Sequence, residues 1–307
     1  MASVFVTRAL PFPALDRLRD AHDVDEWPGN LPPAPADLRA RSRDTEGLLT
    51  LITDRVDAEL LDGAPRLMAI ANMGVGTDNI DVEACAKRGI PVGNTPDVLT
   101  DATADLAFAL LLALARKIVP GAEKVRAGEW RTWEPAADLG AELAGSVIGI
   151  VGWGRIGQAV ARRAEGFEME VVHSSRSSGV PLGELLERAD FVTLHTPLTA
   201  DTRHLIDAGA LARMKPTALL VNTARGGVVD QDALREALHA GRIGGAALDV
   251  TDPEPLPADH PLLDAPNLLV VPHVGSATVR TRAKMAAMAV ENLLAALDGR
   301  PMPHQVA

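Results

Sequence analysis

The sequence contains one cysteine, Cys85, and no tyrosine. A single cysteine excludes an intrachain disulfide and fits a reducing compartment. Cys85 itself reads as a small buried apolar residue. The missing tyrosine excludes any mechanism built on a tyrosine acid. Positive charge is scarce, with 30 Lys and Arg against 41 Asp and Glu and a formal net charge of −11. That balance speaks against nucleic acid and against anionic membrane surfaces as partners, because both demand a basic face. An anionic ligand would need a local arginine. Long apolar runs are missing too: the uncharged run at residues 106–115 is half the ~20 residues of a spanning helix and reads as a buried helix. The opening Met-Ala-Ser-Val-Phe-Val-Thr is a short strand pattern without a basic leader or apolar targeting core. Cytoplasm is the expected location.

What is present describes an ordinary globular chain. With 307 residues, 47% hydrophobic and 23% charged, it exceeds the ~100 to 200 residues of one domain. Two domains are expected. Short apolar runs alternate with helical patterns, the mark of parallel α/β structure. Strands are expected at 3–7, 48–53, 67–71 and 90–93, with a proline-rich loop at 28–35. Thr100 and Asp101 read as caps of a long helix running through Ile118 and stopped by Pro120-Gly121. A second strand series is expected at 147–151, 170–173, 191–195, 218–222, 246–250 and 268–272, each nearly continuous in apolar residues as buried parallel strands are. Residues 277–297 are helical again, with Met285, Met288, Ala289, Leu293 and Leu297 on one face. Following the last strand, this helix is placed to return to the first domain.

Between the two series stands Gly152-Trp-Gly154-Arg155-Ile156-Gly157, preceded by a strand and followed by a helical pattern. In that context the first glycine permits a tight turn and the second lets the backbone approach a pyrophosphate. The third allows helix and strand to pack closely. The N–H groups of the following helix start then face the phosphates. An NAD site usually carries an acidic residue about 20 positions on. Here the chain reads His173-Ser-Ser175-Arg176-Ser177-Ser178, without a carboxylate. Serine hydroxyls and the planar fork of Arg176 suit a 2′-phosphate. NADPH is therefore the favoured cofactor, with NADH as the alternative.

Three later segments place ionisable groups directly after apolar strands: Asn222-Thr223-Ala224-Arg225-Gly-Gly, Asp249-Val-Thr-Asp-Pro-Glu254-Pro, and Pro272-His273-Val-Gly275-Ser-Ala-Thr. Ligands of open α/β sheets bind at such strand ends. Singly, each residue also has a structural explanation as a loop or turn former. Together with the glycine turn, these segments closely resemble the D-isomer-specific 2-hydroxyacid dehydrogenase family. The likeness extends over nearly the whole chain. NMGVGTDNID (72–81) and TPDVLTDATADLAFALLLALAR (95–116) resemble its glyoxylate/hydroxypyruvate reductase branch.

The resemblance implies an α/β fold of two Rossmann-like, doubly wound parallel-sheet domains with a cleft between them. The substrate-binding domain would comprise 1–98 plus 280–307, and the dinucleotide-binding domain 99–279. It implies NADPH-dependent reduction of glyoxylate or hydroxypyruvate to the 2-hydroxy acid. His273 would donate the proton, Glu254 would orient the imidazole and stabilise its cationic form, and Arg225 would bind the carboxylate and polarise the carbonyl. Val75 and Gly76 would give backbone N–H donors to the carboxylate. Thr103, Thr223, Ala224, Asp249, His273 and Gly275 would line the cofactor beside the glycine turn, although Asp249 reads equally as a strand-end cap. No metal is expected. Trp130 and Trp133 fall where the family contacts its partner subunit, so a homodimer is implied. A broader D-2-hydroxyacid dehydrogenase is the nearest alternative. A dinucleotide-sensing corepressor, which keeps this fold without the chemistry, is the distant one.

Overall fold

The computed structural model describes residues 1–10 and 13–306. Two compact units emerge, the first formed by Met1–Leu99 with the segment from Ala277 onward, the second by Thr100–Ser276. The first unit holds strands β1 (Ser3–Val6), β2 (Asp23–Glu26), β3 (Gly47–Thr50), β4 (Ala69–Asn72) and β5 (Val92–Gly93) in a parallel sheet ordered β2-β1-β3-β4-β5. Alternation along the strands divides the core. Val4, Leu49 and Ala71 pack with Met285, Val290 and Leu293 of the C-terminal helix Val279–Leu297, while Phe5, Leu48 and Ile70 face the opposite layer. Burial of each of the larger side chains, such as Leu49 and Leu293, stabilises by about 1.5–3 kcal/mol, which docks the C-terminal helix on the N-terminal sheet.

The strand at Asp23–Glu26 carries no apolar signal. Its sequence is Asp-Val-Asp-Glu with alternating exposed and half-buried positions, and it exists as an edge strand because β1 offers a backbone ladder from Ser3↔Asp23 to Val6↔Glu26. Hydrophobic periodicity is blind to such a strand.

The second unit holds β6 (Val147–Val151), β7 (Glu170–Ser174), β8 (Phe191–Leu194), β9 (Leu219–Asn222), β10 (Gly245–Leu248) and β11 (Leu268–Val270). They form a parallel sheet ordered β11-β10-β9-β8-β6-β7. One face packs Val192, Leu220 and Leu248 under the helices that follow β7, β8 and β9. The other packs Ile148, Ile150 and Val221 under the helices Thr100–Ala115 and Arg155–Gly166. Strand order reverses at β6, which has β7 on one side and β8 on the other. That reversal opens a crevice at the carboxyl end of the sheet.

The expected stop at Pro120-Gly121 is corrected by the structure. The long helix ends at Ala115, Lys117 adopts a left-handed conformation (φ 52°), and a new helix spans Ile118–Arg126. Pro120 lies in the first turn of that helix, where a missing N–H costs nothing. The break is made by the backbone of Lys117, not by the proline.

Candidate active site

The reversal point of the second sheet is occupied by the glycine turn. Gly152 has φ 98°, and a Cβ there would lie 2.5 Å from the His195 carbonyl oxygen, so only glycine fits. A Cβ on Gly157 would meet the Gly152 oxygen at 2.2 Å; this glycine lets the helix start press on the turn. Gly154 instead borders open space, the room a pyrophosphate needs against bare backbone. As the helix N-cap, Gly154 has no side chain to satisfy the first-turn N–H groups contributed from Arg155, Ile156 and Gly157. Two buried polar atoms nearby in the strand-end series lack a protein partner: Thr223 Oγ1 after β9 and His195 Nδ1 after β8. The turn, the uncapped helix and these atoms fit a dinucleotide.

Beyond β7, the backbone reverses through Ser175–Ser178. The Ser175 hydroxyl accepts from Ser178 N–H (3.0 Å) and lies 3.0 Å from the Ser178 carbonyl. Ser175 therefore closes the turn on which Arg176 and Ser177 stand. Both of those are exposed and make no hydrogen bond or ion pair to any described residue. On the inner side, the indole of Trp153 stacks on His173 with ring centroids 3.9 Å apart.

The ionisable residues lie along the same sheet edge. Arg225 follows β9 on a turn held by Asn222, which is fully buried. Asn222 Nδ2 donates to the Arg225 carbonyl (2.9 Å) and its Oδ1 accepts from Ala224 N–H (3.0 Å). Next to it, a Cβ on Gly226 would sit 2.0 Å from the Thr251 carbonyl carbon. That glycine lets the arginine turn lie directly on the segment carrying Glu254. Gln231 clamps the same segment: its amide donates to the Asp252 carbonyl (2.5 Å) and accepts from Asp252 N–H (3.0 Å).

His273 follows β11 with a left-handed backbone, φ 52°. Its Nδ1 is hydrogen-bonded to Glu254 Oε1. With Nδ1 committed to a carboxylate, the remaining ring nitrogen, Nε2, is the one left for proton transfer. Asp249 holds the backbone of this loop. Its carbonyl accepts from His273 N–H (2.9 Å), and its two carboxylate oxygens accept from Val274 N–H (2.6 Å) and Gly275 N–H (2.9 Å). Burial pushes the Asp249 carboxyl up despite those two bonds. Thr103, also buried, lies against Gly275. Of the two readings of Asp249, the geometry displays the cap. Both oxygens serve the loop of His273.

Val75 and Gly76 belong to the first unit, in the loop after β4. Neither N–H has an acceptor among the described residues. Motif reading does not single out Asn222 or Gln231. An asparagine ending a strand before a turn is a recognisable signal, whereas Gln231 at a helix start looks like any polar residue. Among the described residues no group of three His, Cys, Asp or Glu could hold a metal ion, and no helix is long and apolar enough to cross a membrane.

The comparisons with known proteins agree on one family. The family model for the D-isomer specific 2-hydroxyacid dehydrogenase NAD binding domain matches residues 108–275. A glyoxylate reductase of Korarchaeum cryptofilum is 48% identical, over 99% of this chain and 95% of that protein. The crystal structure of a protein from Thermus thermophilus superposes with a TM-score of 0.95 at 51% identity, covering 99% of this chain and 100% of the other. An NADPH-dependent glyoxylate/hydroxypyruvate reductase of Sinorhizobium meliloti superposes with a TM-score of 0.87 at 34% identity, covering 100% of this chain and 98% of the other.

Proposed function

The chain belongs to the D-isomer-specific 2-hydroxyacid dehydrogenase family and is an NAD(P)-dependent oxidoreductase; we propose that it reduces glyoxylate and hydroxypyruvate with NADPH, His273 giving the proton. The observation that carries this reading is the bond from His273 Nδ1 to Glu254. It sits at the sheet edge that also bears the glycine turn and Arg225. The bound dinucleotide supplies the hydride. Everything else falls to side chains of this chain. Glu254 fixes the imidazole and balances its charge, so that Nε2 can carry a proton to the developing alkoxide. Arg225 places two N–H donors on the carboxylate and carbonyl oxygens of the 2-oxo acid, where negative charge grows. Val75 and Gly76 give uncharged donors to the same carboxylate.

Preference for NADPH is supported by Arg176 and Ser177, both exposed and unengaged on the turn that Ser175 closes. A carboxylate there would repel a 2′-phosphate; this turn has none. The Sinorhizobium meliloti relative is described as NADPH-dependent and as acting on both glyoxylate and hydroxypyruvate, and the Korarchaeum relative as a glyoxylate reductase.

A homodimer is part of the proposal. The helix Ile118–Arg126 buries none of its residues. It and the following loop expose Ile118, Val119, Val125, Trp130, Trp133 and Leu139, Trp133 to 79%. So many exposed apolar side chains along one stretch of sequence support association through this segment.

Initial rates with glyoxylate, hydroxypyruvate and bulkier 2-oxo acids, each with NADPH and NADH, test the whole proposal. Highest kcat/KM is expected for the two small acids with NADPH. A preference for bulkier acids would replace this substrate assignment with the broader one.

A further inference from the structure

We infer that Asn72 and Asn94 are positioning residues for the substrate carboxylate, their side-chain amides holding the loop at 74–77 so that its N–H groups point together at the anion. The inference rests on the proposed role of Val75 and Gly76 as carboxylate donors.

Three successive carbonyls of this loop are each held by a different donor. The Gly74 oxygen accepts from Thr95 N–H (3.0 Å), the Val75 oxygen from Asn94 Nδ2 (2.8 Å) and the Gly76 oxygen from Asn72 Nδ2 (2.8 Å). In a planar trans peptide the N–H points opposite to the C=O of the same unit. Holding those three oxygens therefore orients the N–H groups of Val75, Gly76 and Thr77. None of the three has an acceptor among the described residues. Consecutive free N–H groups in a turn form a concavity for an anion. It suits a carboxylate, which carries two acceptor oxygens.

The two asparagines are themselves fixed. Asn72 ends β4 and is fully buried. Its Oδ1 accepts from Thr50 Oγ1 (3.2 Å) and Asn79 Nδ2 (3.4 Å), and Asn79 also donates to the Leu51 and Asp54 carbonyls. Asn94 is secured through its backbone. Its carbonyl accepts from Asn292 Nδ2 (2.9 Å) and its N–H donates to the His304 carbonyl (3.0 Å). Asn292 is fully buried in the C-terminal helix and also accepts from His304 N–H (3.0 Å). A Cβ on Gly93 would lie 2.7 Å from the Asn292 amide, so a glycine is what lets this helix reach the strand end. The C-terminal segment thus reaches the loop through two amides in series, Asn292 to Asn94 to Val75.

Aspartate at position 94 is the informative change. Asn94→Asp keeps the size of the side chain and both backbone bonds, but replaces the donor to Val75 by an acceptor. Asn94→Ala removes the donor without adding charge. The measurements are KM and kcat for glyoxylate at saturating NADPH, the Ki of oxalate as carboxylate probe, the NADPH Kd by nicotinamide fluorescence, and Tm. Asn94→Asp should raise KM and Ki at least about tenfold, the scale of one oriented hydrogen bond, with kcat changed less than about threefold and NADPH Kd unchanged. Asn94→Ala should do the same to a smaller extent. KM and Ki within about twofold of wild type in both variants would overturn the inference, as would equal losses in kcat and KM tracking a fallen Tm. Wild-type protein that neither reduces glyoxylate nor responds to oxalate would overturn the functional proposal and this inference together. Active, oxalate-sensitive wild type with unaffected variants would overturn this inference alone.

Discussion

The Nδ1 nitrogen of His273 is hydrogen-bonded to the carboxylate of Glu254, a residue nineteen positions earlier in the chain. Neither group is deeply buried: the side chains are 26% and 34% exposed. The pair leaves Nε2 as the only ring nitrogen free to meet a substrate. His273→Ala should lower kcat for glyoxylate by a factor of about 10² to 10⁴ while NADPH still binds. Glu254→Gln should keep an oxygen acceptor for the orienting bond but lose the compensating charge, lowering kcat less than His273→Ala does. Stopped-flow rates with glyoxylate read both. Near-normal turnover in His273→Ala would remove it as the proton donor.

Arg225 should not tolerate lysine. The lysine ammonium cannot reproduce two parallel N–H donors, although it keeps the charge. Arg225→Lys is expected to lower kcat/KM by about tenfold or more, mainly through KM. An unchanged KM for glyoxylate would place the carboxylate elsewhere.

Arg176 stands on the turn after β7 with no partner among the described residues. Removing it should raise the KM for NADPH about tenfold to a hundredfold and leave NADH within about twofold. Equal losses for both dinucleotides would withdraw the 2′-phosphate assignment.

Gly226 tests the packing that brings the arginine turn onto the Glu254 segment. A Cβ 2.0 Å from the Thr251 carbonyl carbon forces backbone movement, because neither segment is a flexible side chain. Gly226→Ala should destabilise the fold by roughly 1–3 kcal/mol and reduce kcat as well. A wild-type Tm in this variant would contradict the close approach of the two segments.

His195 gives the protein an acid limit. Burial pushes its imidazole down from 6.5 to about 3; Thr193 Oγ1 meets Nε2 at 2.9 Å, and Nδ1 has no partner. The unfolded chain binds this proton at higher pH than the native one. Stability is therefore fully present above pH 6.5 and is lost as pH falls toward about 3, by roughly 1.4 kcal/mol per pH unit at most. Urea unfolding at pH 7 and pH 5 should show the loss, and His195→Gln should flatten it. An equal slope in the variant would assign the acid sensitivity to other groups.

Much of this protein is readable along the chain because it is local. The spacing of Gly152, Gly154 and Gly157 and the apolar strand before them determine the turn through backbone sterics alone. Apolar runs likewise mark ten of the eleven described strands, because most of these strands bury both faces in a parallel sheet and carry apolar residues on each. Arg225, Glu254 and His273 are visible as residues at strand ends. The edge strand Asp23–Glu26 is not visible, because its stability comes from the ladder with β1 rather than from its side chains. The helix break at Lys117 is hidden behind Pro120 for a similar reason, as proline signals a stop only outside a first turn. Tertiary structure alone decided which supports the site residues received: Gly226 against Thr251, Gln231 on Asp252, Asp249 under Val274 and Gly275, and Asn94 on Val75. Those contacts join segments far apart in sequence. Hydrogen-bond geometry and steric closeness exist only once the sheets have formed, so no local pattern records them.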